Sequence, residues 1–229
     1  MLDLTLVQKI VIWVLPVLFA ITVHEVAHGW MAGRLGDKTA MMLGRLTLNP
    51  VKHVDPMGTI LIPGLLLLLH TGFIFGWAKP VPITWQNLRQ PKRDMALVAV
   101  AGPLANLLMA VFWALMMRAG LAIGESAVLL VYVGVAGIFI NTILMVLNLL
   151  PLPPLDGGRV LTSLLPGPLS YKFSLIEPYG FIILIALLMT GVLGIIIWPL
   201  ISYVLEALAL LGGIPAQTLE QILLVLMGG

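Results

Sequence analysis

The chain is a succession of long apolar stretches separated by short polar or Pro- and Gly-rich breaks. The stretches long enough to cross a hydrocarbon core, which needs about 20 residues, predict helices over residues 7–33, 94–118, 126–150 and 174–198. Hydrophobic residues make up 60% of the 229 residues and charged residues only 10%, whereas a soluble domain is roughly 25% charged. We therefore predict a single domain over residues 1–229, an all-α polytopic membrane protein with about 4–6 transmembrane helices.

Whether residues 57–75 cross the membrane decides the topology. The segment is apolar and long enough to span, but it contains Pro63-Gly64, a plausible break. If it dips in and returns, the basic loops at 34–52 and 79–93 lie on one side, which then holds ten of the twelve Lys and Arg residues. If it crosses, that bias largely disappears. Because cytoplasmic loops carry the excess of Lys and Arg, we predict a re-entrant segment, an external N-terminus and cytoplasmic basic loops.

Residues 76–84 (GWAKPVPIT) follow directly and have a different pattern. They contain prolines and alternate in an extended way. We predict a short extended or β element at the membrane edge.

A histidine pair with an intervening glutamate, His24-Glu25-Val26-Ala27-His28, lies inside the first apolar stretch. Positions i and i+4 share one face of a helix, so both imidazoles can reach one metal ion, and this H-E-x-x-H spacing is a zinc signature. Glu25 projects beside them and could take a proton from a metal-bound water. Ionisable groups are expensive inside a membrane and mark a functional site. The alternative interpretation is a chance pattern in a transporter helix or a soluble core.

A catalytic zinc site needs three protein ligands and an open fourth position. The chain has no cysteine and only four histidines, so the third ligand must be His, Asp or Glu. Asp156 is the best candidate, because it follows an apolar helix in the Pro- and Gly-rich run NLLPLPPLDGG. The predicted topology makes the helices at 7–33 and 126–150 parallel and so places the histidine pair and Asp156 at one depth. The alternative for Asp156 alone is a turn or helix-cap aspartate.

Asn148 and Asn106 are amides in otherwise apolar helices. Asn148 lies two turns before Asp156, and we predict that it donates a hydrogen bond to a substrate carbonyl or a developing oxyanion; a contact between helices is the alternative. For Asn106 the same two roles are equally open. His53 and Asp55 form a second polar cluster, which we interpret as a loop-anchoring pair, with a metal-adjacent role as the alternative.

The ordered motifs HEVAH, NPVKHVDPMGT, AGPLAN and NLLPLPPLDGG together resemble the site-2 protease family of zinc intramembrane metalloproteases, over most of residues 15–185. The resemblance is to the compact bacterial and archaeal type, without a PDZ or CBS domain. It implies one Zn²⁺ per chain held by His24, His28 and Asp156, with Glu25 as the general base. It also implies cleavage of a transmembrane helix of another protein.

Such cleavage requires the substrate helix to unwind, because a helix hides its carbonyls in i to i−4 hydrogen bonds. The unwound strand then has unpaired amides, which are costly in lipid. Residues 76–84 could pair with that strand by strand addition. Their prolines limit which edge is available, because each removes an amide donor.

The expected partners are a transmembrane protein substrate and the lipid bilayer, with no nucleic acid. The expected location is the cell membrane (the inner or plasma membrane), with the active site towards the cytoplasm.

Two other functions suit an intramembrane His and carboxylate set: a metal-ion transporter and a non-catalytic scaffold that binds membrane proteins. A transporter needs further ligands along its path, and the interiors of the helices at 94–118 and 126–150 offer none beyond asparagines. An intact HExxH with an aspartate argues against the scaffold.

Overall fold

The computed structural model describes residues 4–69 and 76–227, and all regular elements in those two ranges are helical. The α-helices, in chain order, are α1 (Leu6–Leu35), α2 (Thr39–Met42), α3 (Ile62–Leu68), α4 (Pro91–Ile123), α5 (Val128–Asn148), α6 (Asp156–Leu164), α7 (Gly167–Ser174), α8 (Glu177–Met189), α9 (Val192–Gly212) and α10 (Ala216–Met227). Short 3-10 or π turns cover Pro50–His53, Pro56–Leu61, Trp85–Asn87 and Glu125–Ala127. The prediction of an all-α protein is confirmed.

Four of these helices are long and apolar enough to cross a membrane: α1, α4, α5 with the turn before it, and α9. A fifth span results if α7 and α8, which meet at 60°, are taken as one bent crossing. Both numbers agree with the predicted count. The prediction of one helix over 174–198 is wrong, because the chain breaks between α8 and α9 at Gly191. The φ of Gly191 is 75°, in the left-handed region that glycine adopts readily.

The core is built on α1, α4 and α5. Glycines on α5 bring α4 close: a Cβ at Gly134 would lie 2.7 Å from the Cβ of Met117, and one at Gly137 would lie 2.2 Å from the ring of Trp113. Small residues at helix interfaces are the usual means of close packing in membranes. By contrast, α1 turns outward a row of large apolar side chains, as suits contact with lipid: Val7, Ile10, Val11, Val14, Leu15 and Phe19.

The predicted re-entrant segment, 57–75, is described only in part. The chain forms a π turn at Pro56–Leu61 that continues into α3, and this apolar helix is too short to cross a membrane. Residues 70–75 lie outside the described residues, so the return of the segment stays a prediction.

Residues 76–84, which we call the strap, lie in no β-strand within the described ranges. Alternate amides of the strap turn towards the preceding loop: the Trp77 N–H donates to the Gly58 carbonyl (3.0 Å) and the Lys79 N–H to the His53 carbonyl (2.9 Å). A period of two is typical of extended backbone. The predicted element is therefore present as an extended segment, but a β-strand is not confirmed.

Asp37, between α1 and α2, anchors the C-terminal end of the strap. Its carboxylate is 1% exposed and accepts hydrogen bonds from the Thr84 N–H (2.8 Å), the Asn87 side-chain amide (3.0 Å) and Thr39. Burial alone would raise the pKa of Asp37, but these hydrogen bonds hold the pKa below its usual value. The charged carboxylate therefore ties the strap to the end of α1.

Asp37→Asn should loosen the strap. Asparagine has one acceptor oxygen in place of two, so at least one buried donor loses its partner, at a cost of about 1–3 kcal/mol. We expect lower hydrogen-exchange protection over residues 81–87 and unchanged protection in α5. The pKa of folded Asp37 lies below 3.8. The stabilisation that its ionised carboxylate gives the wild type over Asp37→Asn is therefore complete above about pH 4, and it is lost as the pH falls through the folded pKa.

Asp94→Asn is the matched control. Asp94 is also a buried carboxylate, but it accepts from the Gln90 N–H at the start of α4. Equal protection of residues 81–87 in the wild type and in Asp37→Asn would contradict the anchoring role.

Candidate metal centre

His24 and His28 lie one turn apart on α1, and both are buried. Their Nε2 atoms are 3.0 Å apart, and the ring centroids are separated by 4.6 Å. The i, i+4 spacing produces this convergence, because it places both side chains on one face of the helix.

Asp156 reaches the same place from the other side, as the first residue of α6. The turn between α5 and α6 is tightly packed: a Cβ at Gly157 would lie 2.3 Å from the carbonyl oxygens of Leu149 and Leu150. This packing brings the Oδ2 atom of Asp156 to 3.3 Å from the Nε2 atom of each histidine. The predicted proximity of the histidine pair and Asp156 is therefore observed.

Helix α4 sets the orientation of both imidazole rings. A backbone carbonyl can only accept, so the Nδ1–H of His28 donates to the Val98 carbonyl, at 2.8 Å. The Nδ1 atom of His24 lies 2.6 Å from the Oδ1 atom of Asn106. Each histidine therefore makes a hydrogen bond to α4 through Nδ1. Its Nε2 atom faces the other histidine and Asp156, and we call His24, His28 and Asp156 the cluster. Partners of this kind fix the tautomer and the orientation of a ligating histidine.

The three converging atoms suit a metal ion. One ligand atom from each of His24, His28 and Asp156 lies within 4.8 Å of the others. The Oδ2 atom of Asp156 is buried and accepts no hydrogen bond from a described residue. With Nδ1 protonated, each Nε2 carries a lone pair, so three electron-rich atoms face one another, an arrangement that suits a cation. Ligands 2.0–2.1 Å from a tetrahedral zinc lie about 3.3 Å apart, close to the observed 3.0 and 3.3 Å.

Gly102 of α4 lies directly against the two rings. A Cβ there would lie 2.4 Å from the Nε2 atom of His28 and 2.6 Å from the Cε1 atom of His24. Val98 and Asn106 lie one turn before and one turn after Gly102. The missing side chain therefore lets α4 approach α1 closely enough for the hydrogen bonds from both imidazole rings to Val98 and Asn106 to form.

Glu25 is half-buried beside the pair and outside the converging set of ligand atoms. Its Oε2 atom accepts a hydrogen bond from the Val81 N–H, at 2.7 Å. Since Val81 belongs to the strap, the strap contacts the predicted general base directly.

Asn148 is the last residue of α5 and is half-buried. Its side-chain amide donates to the Leu144 carbonyl of the same helix, at 2.9 Å. The predicted role of Asn148 towards a substrate oxygen stays a prediction.

His53 and Asp55 hold the loop before the strap. The Nε2–H of His53 donates to the Thr47 carbonyl, and the Asp55 carboxylate accepts from the Met57 and Gly58 N–H groups. These contacts match the loop-anchoring interpretation, and neither residue belongs to the described metal-ligand cluster.

Sequence reasoning missed Gly102, Asn141 and Asp37, and left Asn106 open. The motif AGPLAN places Gly102 and Asn106 one helical turn apart, the spacing of the histidine pair, and this is the signal that could have identified them. Asp37 and Asn141 carry no such signal, because they contact partners 47 and 35 residues away in the chain.

Comparison with known proteins also indicates a zinc centre. Residues 120–190 match the family described as peptidase family M50. The chain is 38% identical over 194 residues to "Putative zinc metalloprotease YwhC" of Bacillus subtilis (strain 168), which covers 82% of this chain and 85% of the relative.

Two further relatives are both named "Putative zinc metalloprotease Rip2". The one from Mycolicibacterium smegmatis is 33% identical over 178 residues, which is 77% of this chain and 66% of the relative. The one from Mycobacterium tuberculosis H37Rv is 30% identical over 207 residues, covering 87% of this chain and 77% of the relative. No solved structure gives a significant match to this chain.

Gly102→Ala should disable the centre. The added methyl group would collide with both imidazoles, so either the rings rotate away or α4 moves away from α1. We expect the zinc affinity of the purified protein to fall at least about tenfold, since disturbing the partners of ligating histidines typically costs 10–100-fold. Competition with a chelator of known affinity measures the change.

Gly194→Ala is the matched control, since Gly194 also lies inside an apolar helix but a Cβ there meets no atom within 4 Å. Wild-type zinc affinity in Gly102→Ala would contradict the close approach of α4 to the rings.

Proposed function

This chain belongs to peptidase family M50, the site-2 protease family, and from that premise we propose that it is an intramembrane zinc endopeptidase that cleaves transmembrane segments of other membrane proteins. One observation carries the proposal: two imidazoles and a carboxylate converge within 4.8 Å, and the histidines lie within a helix that is apolar and long enough to span a membrane. A buried ionisable cluster at such a position is expensive and is retained for function.

In this proposal His24, His28 and Asp156 would hold one Zn²⁺. When bound, the zinc supplies a Lewis acid that polarises the substrate carbonyl and makes a water acidic enough to attack near neutral pH. Val98 and Asn106 hold the rings by their Nδ1 atoms, so that both Nε2 atoms face Asp156 and would be free to hold the ion.

Glu25 acts as general base and then as general acid. Its carboxylate takes a proton from the attacking water and delivers a proton to the leaving amine. The Val81 N–H holds one carboxylate oxygen at 2.7 Å and so orients the group. An ionised carboxylate has about four acceptor sites, so this single hydrogen bond leaves Glu25 able to accept the proton.

Asn148 supports the oxygen of the cleaved carbonyl as negative charge develops there. One N–H of its amide donates to Leu144 within α5, and the amide has a second N–H that can donate to the substrate. Its place just before the turn that carries Asp156 favours this role.

The strap binds the unwound substrate as an added strand. On the inward side, the amides of Trp77, Lys79 and Val81 donate to Gly58, His53 and Glu25. On the opposite side, Pro80 and Pro82 have no N–H to offer. A substrate that pairs there must therefore bind largely through its own N–H groups, which are the donors that unwinding leaves unpaired in lipid.

The active site faces the cytoplasm of the cell, and the protein lies in the cell membrane with an external N-terminus. Residues 57–75 enter the membrane and return on the same side. The ten-to-two distribution of Lys and Arg that this topology produces supports the assignment. The π turn at Pro56–Leu61 and α3, which together are too short to cross a membrane, and the proximity of the histidine pair to Asp156 also favour it.

The central test is cleavage by Glu25→Gln. Glutamine has nearly the same shape and can still accept from the Val81 N–H, but it cannot take a proton. We expect purified Glu25→Gln to keep one zinc per chain and to lose about 10²–10⁴-fold in cleavage of labelled membrane-protein substrates. The rate of product formation measures the loss, and metal analysis measures the zinc.

His24→Ala and Asp156→Ala are the comparison variants, because removal of a ligand should lower the zinc content as well as the activity. Cleavage by Glu25→Gln at the wild-type rate would mean that another residue is the base. Full zinc content in Asp156→Ala, with none in His24→Ala, would place the third ligand elsewhere.

The topology is tested by single cysteines, since the chain has none of its own. Lys38→Cys and Gln90→Cys are suitable because both positions are exposed and flank the segment 57–75. Both should react with a membrane-impermeant reagent from the cytoplasmic side only. Labelling of the two positions from opposite sides would show that the segment crosses the membrane.

A further inference from the structure

Two fully buried amides link the histidine pair to the centre of the helix bundle. Asn106 of α4 and Asn141 of α5 are each 0% exposed. They are hydrogen-bonded to each other at 2.9 Å, and Asn106 also contacts His24 of α1. The series therefore crosses all three core helices. Buried amides in an apolar bundle are costly unless their hydrogen bonds are satisfied.

The orientation of the Asn141 amide follows from its own helix. One end of the amide lies 2.9 Å from the carbonyl oxygen of Gly137. A carbonyl can only accept, so that end must be the Nδ2 donor and the other end the Oδ1 acceptor. Asn141 therefore presents an acceptor to Asn106.

Two acceptors then determine the orientation of Asn106. Its Nδ2 atom donates to Oδ1 of Asn141 and to the carbonyl of Ala20, at 2.9 and 3.2 Å. The remaining atom, Oδ1, lies 2.6 Å from the Nδ1 atom of His24. An oxygen in that position accepts, so Nδ1 of His24 carries the hydrogen and Nε2 carries the lone pair.

The two histidines thus reach the same tautomer by different means. His28 donates to the Val98 carbonyl, a backbone acceptor that cannot reverse. His24 meets a side-chain amide, which could present either oxygen or nitrogen. If Asn106 were reversed, its N–H groups would face Nδ1, and His24 would carry its hydrogen on Nε2, pointing at the other two members of the cluster.

We propose that Asn106 and Asn141 are positioning residues that hold His24 in the tautomer whose Nε2 atom binds the metal ion. Asn106 makes the contact, and Asn141 acts only through Asn106, by preventing its amide from reversing. The inference rests on the proposed function in one respect, namely that His24 is a metal ligand.

The test is the zinc affinity of the purified full chain, measured with zinc alone by competition with a chelator. Asn106→Leu removes the acceptor, and we expect affinity to fall by about 10–100-fold. Asn106→Asp keeps an acceptor at the same place, so it should bind zinc more tightly than Asn106→Leu. Asn141→Leu should weaken binding less than Asn106→Leu does, because the Ala20 carbonyl still favours the correct orientation.

The double variant separates positioning from general damage. If Asn141 acts only through Asn106, adding Asn141→Leu to Asn106→Leu should cause no further loss, whereas independent structural effects would multiply. Thr142→Val is the matched control: Thr142 is also fully buried in α5, and its hydroxyl has no described partner. It should bind zinc as the wild type does.

Wild-type affinity in Asn106→Leu, or losses that multiply in the double variant, would overturn the proposal. If Asn106→Leu does not fold, Asn141→Leu decides, and wild-type zinc affinity in that variant would overturn the proposal. Failure of the proposed function is recognised separately, because His24→Ala would then keep the wild-type zinc affinity.

Discussion

The contact between α4 and α1 at Gly102 is the constraint on which the site depends. At that point a methyl group would lie within about 2.6 Å of both imidazoles, so α4 presents only its backbone to the two rings of α1. Such an approach cannot be driven by exclusion of apolar surface from water, because lipid is as apolar as the side chains; packing and hydrogen bonds must provide it. The bonds to Val98 and Asn106, one turn to either side, satisfy the histidines only at this separation.

The same requirement explains the polar residues of the bundle. The N–H groups, carbonyls and amides within spanning helices need partners inside the protein, because lipid supplies none. Here the partners are arranged so that acceptor atoms converge at one place, where the two Nε2 atoms meet the Asp156 carboxylate. The polar groups around it act by fixing orientation: a carbonyl orients His28, and a pair of amides orients His24. The result is a candidate cation site in an otherwise apolar bundle.

The strap connects this interior to the surface. Asp37 holds its C-terminal end, and Glu25 holds its middle through the Val81 N–H. Both carboxylates belong to α1 or to the residues directly after it, so the helix that carries the histidine pair also positions the strap. Any peptide that binds along the strap therefore lies within one hydrogen bond of the proposed general base.

The local pattern of hydrophobic and polar residues was sufficient to predict the helical class, the spanning stretches and the shared face of the two histidines in HEVAH. These features depend only on hydrophobic runs and on the helical period of 3.6 residues. The chemistry of the residues and the Pro- and Gly-rich setting also singled out Asp156. The break at Gly191 was hidden, because a single glycine in an apolar run leaves hydropathy unchanged. The roles of Gly102, Asn141 and Asp37 were decided only by tertiary structure. Their meaning lies in distances to residues far along the chain, and a close approach or an amide orientation exists only once the helices have packed.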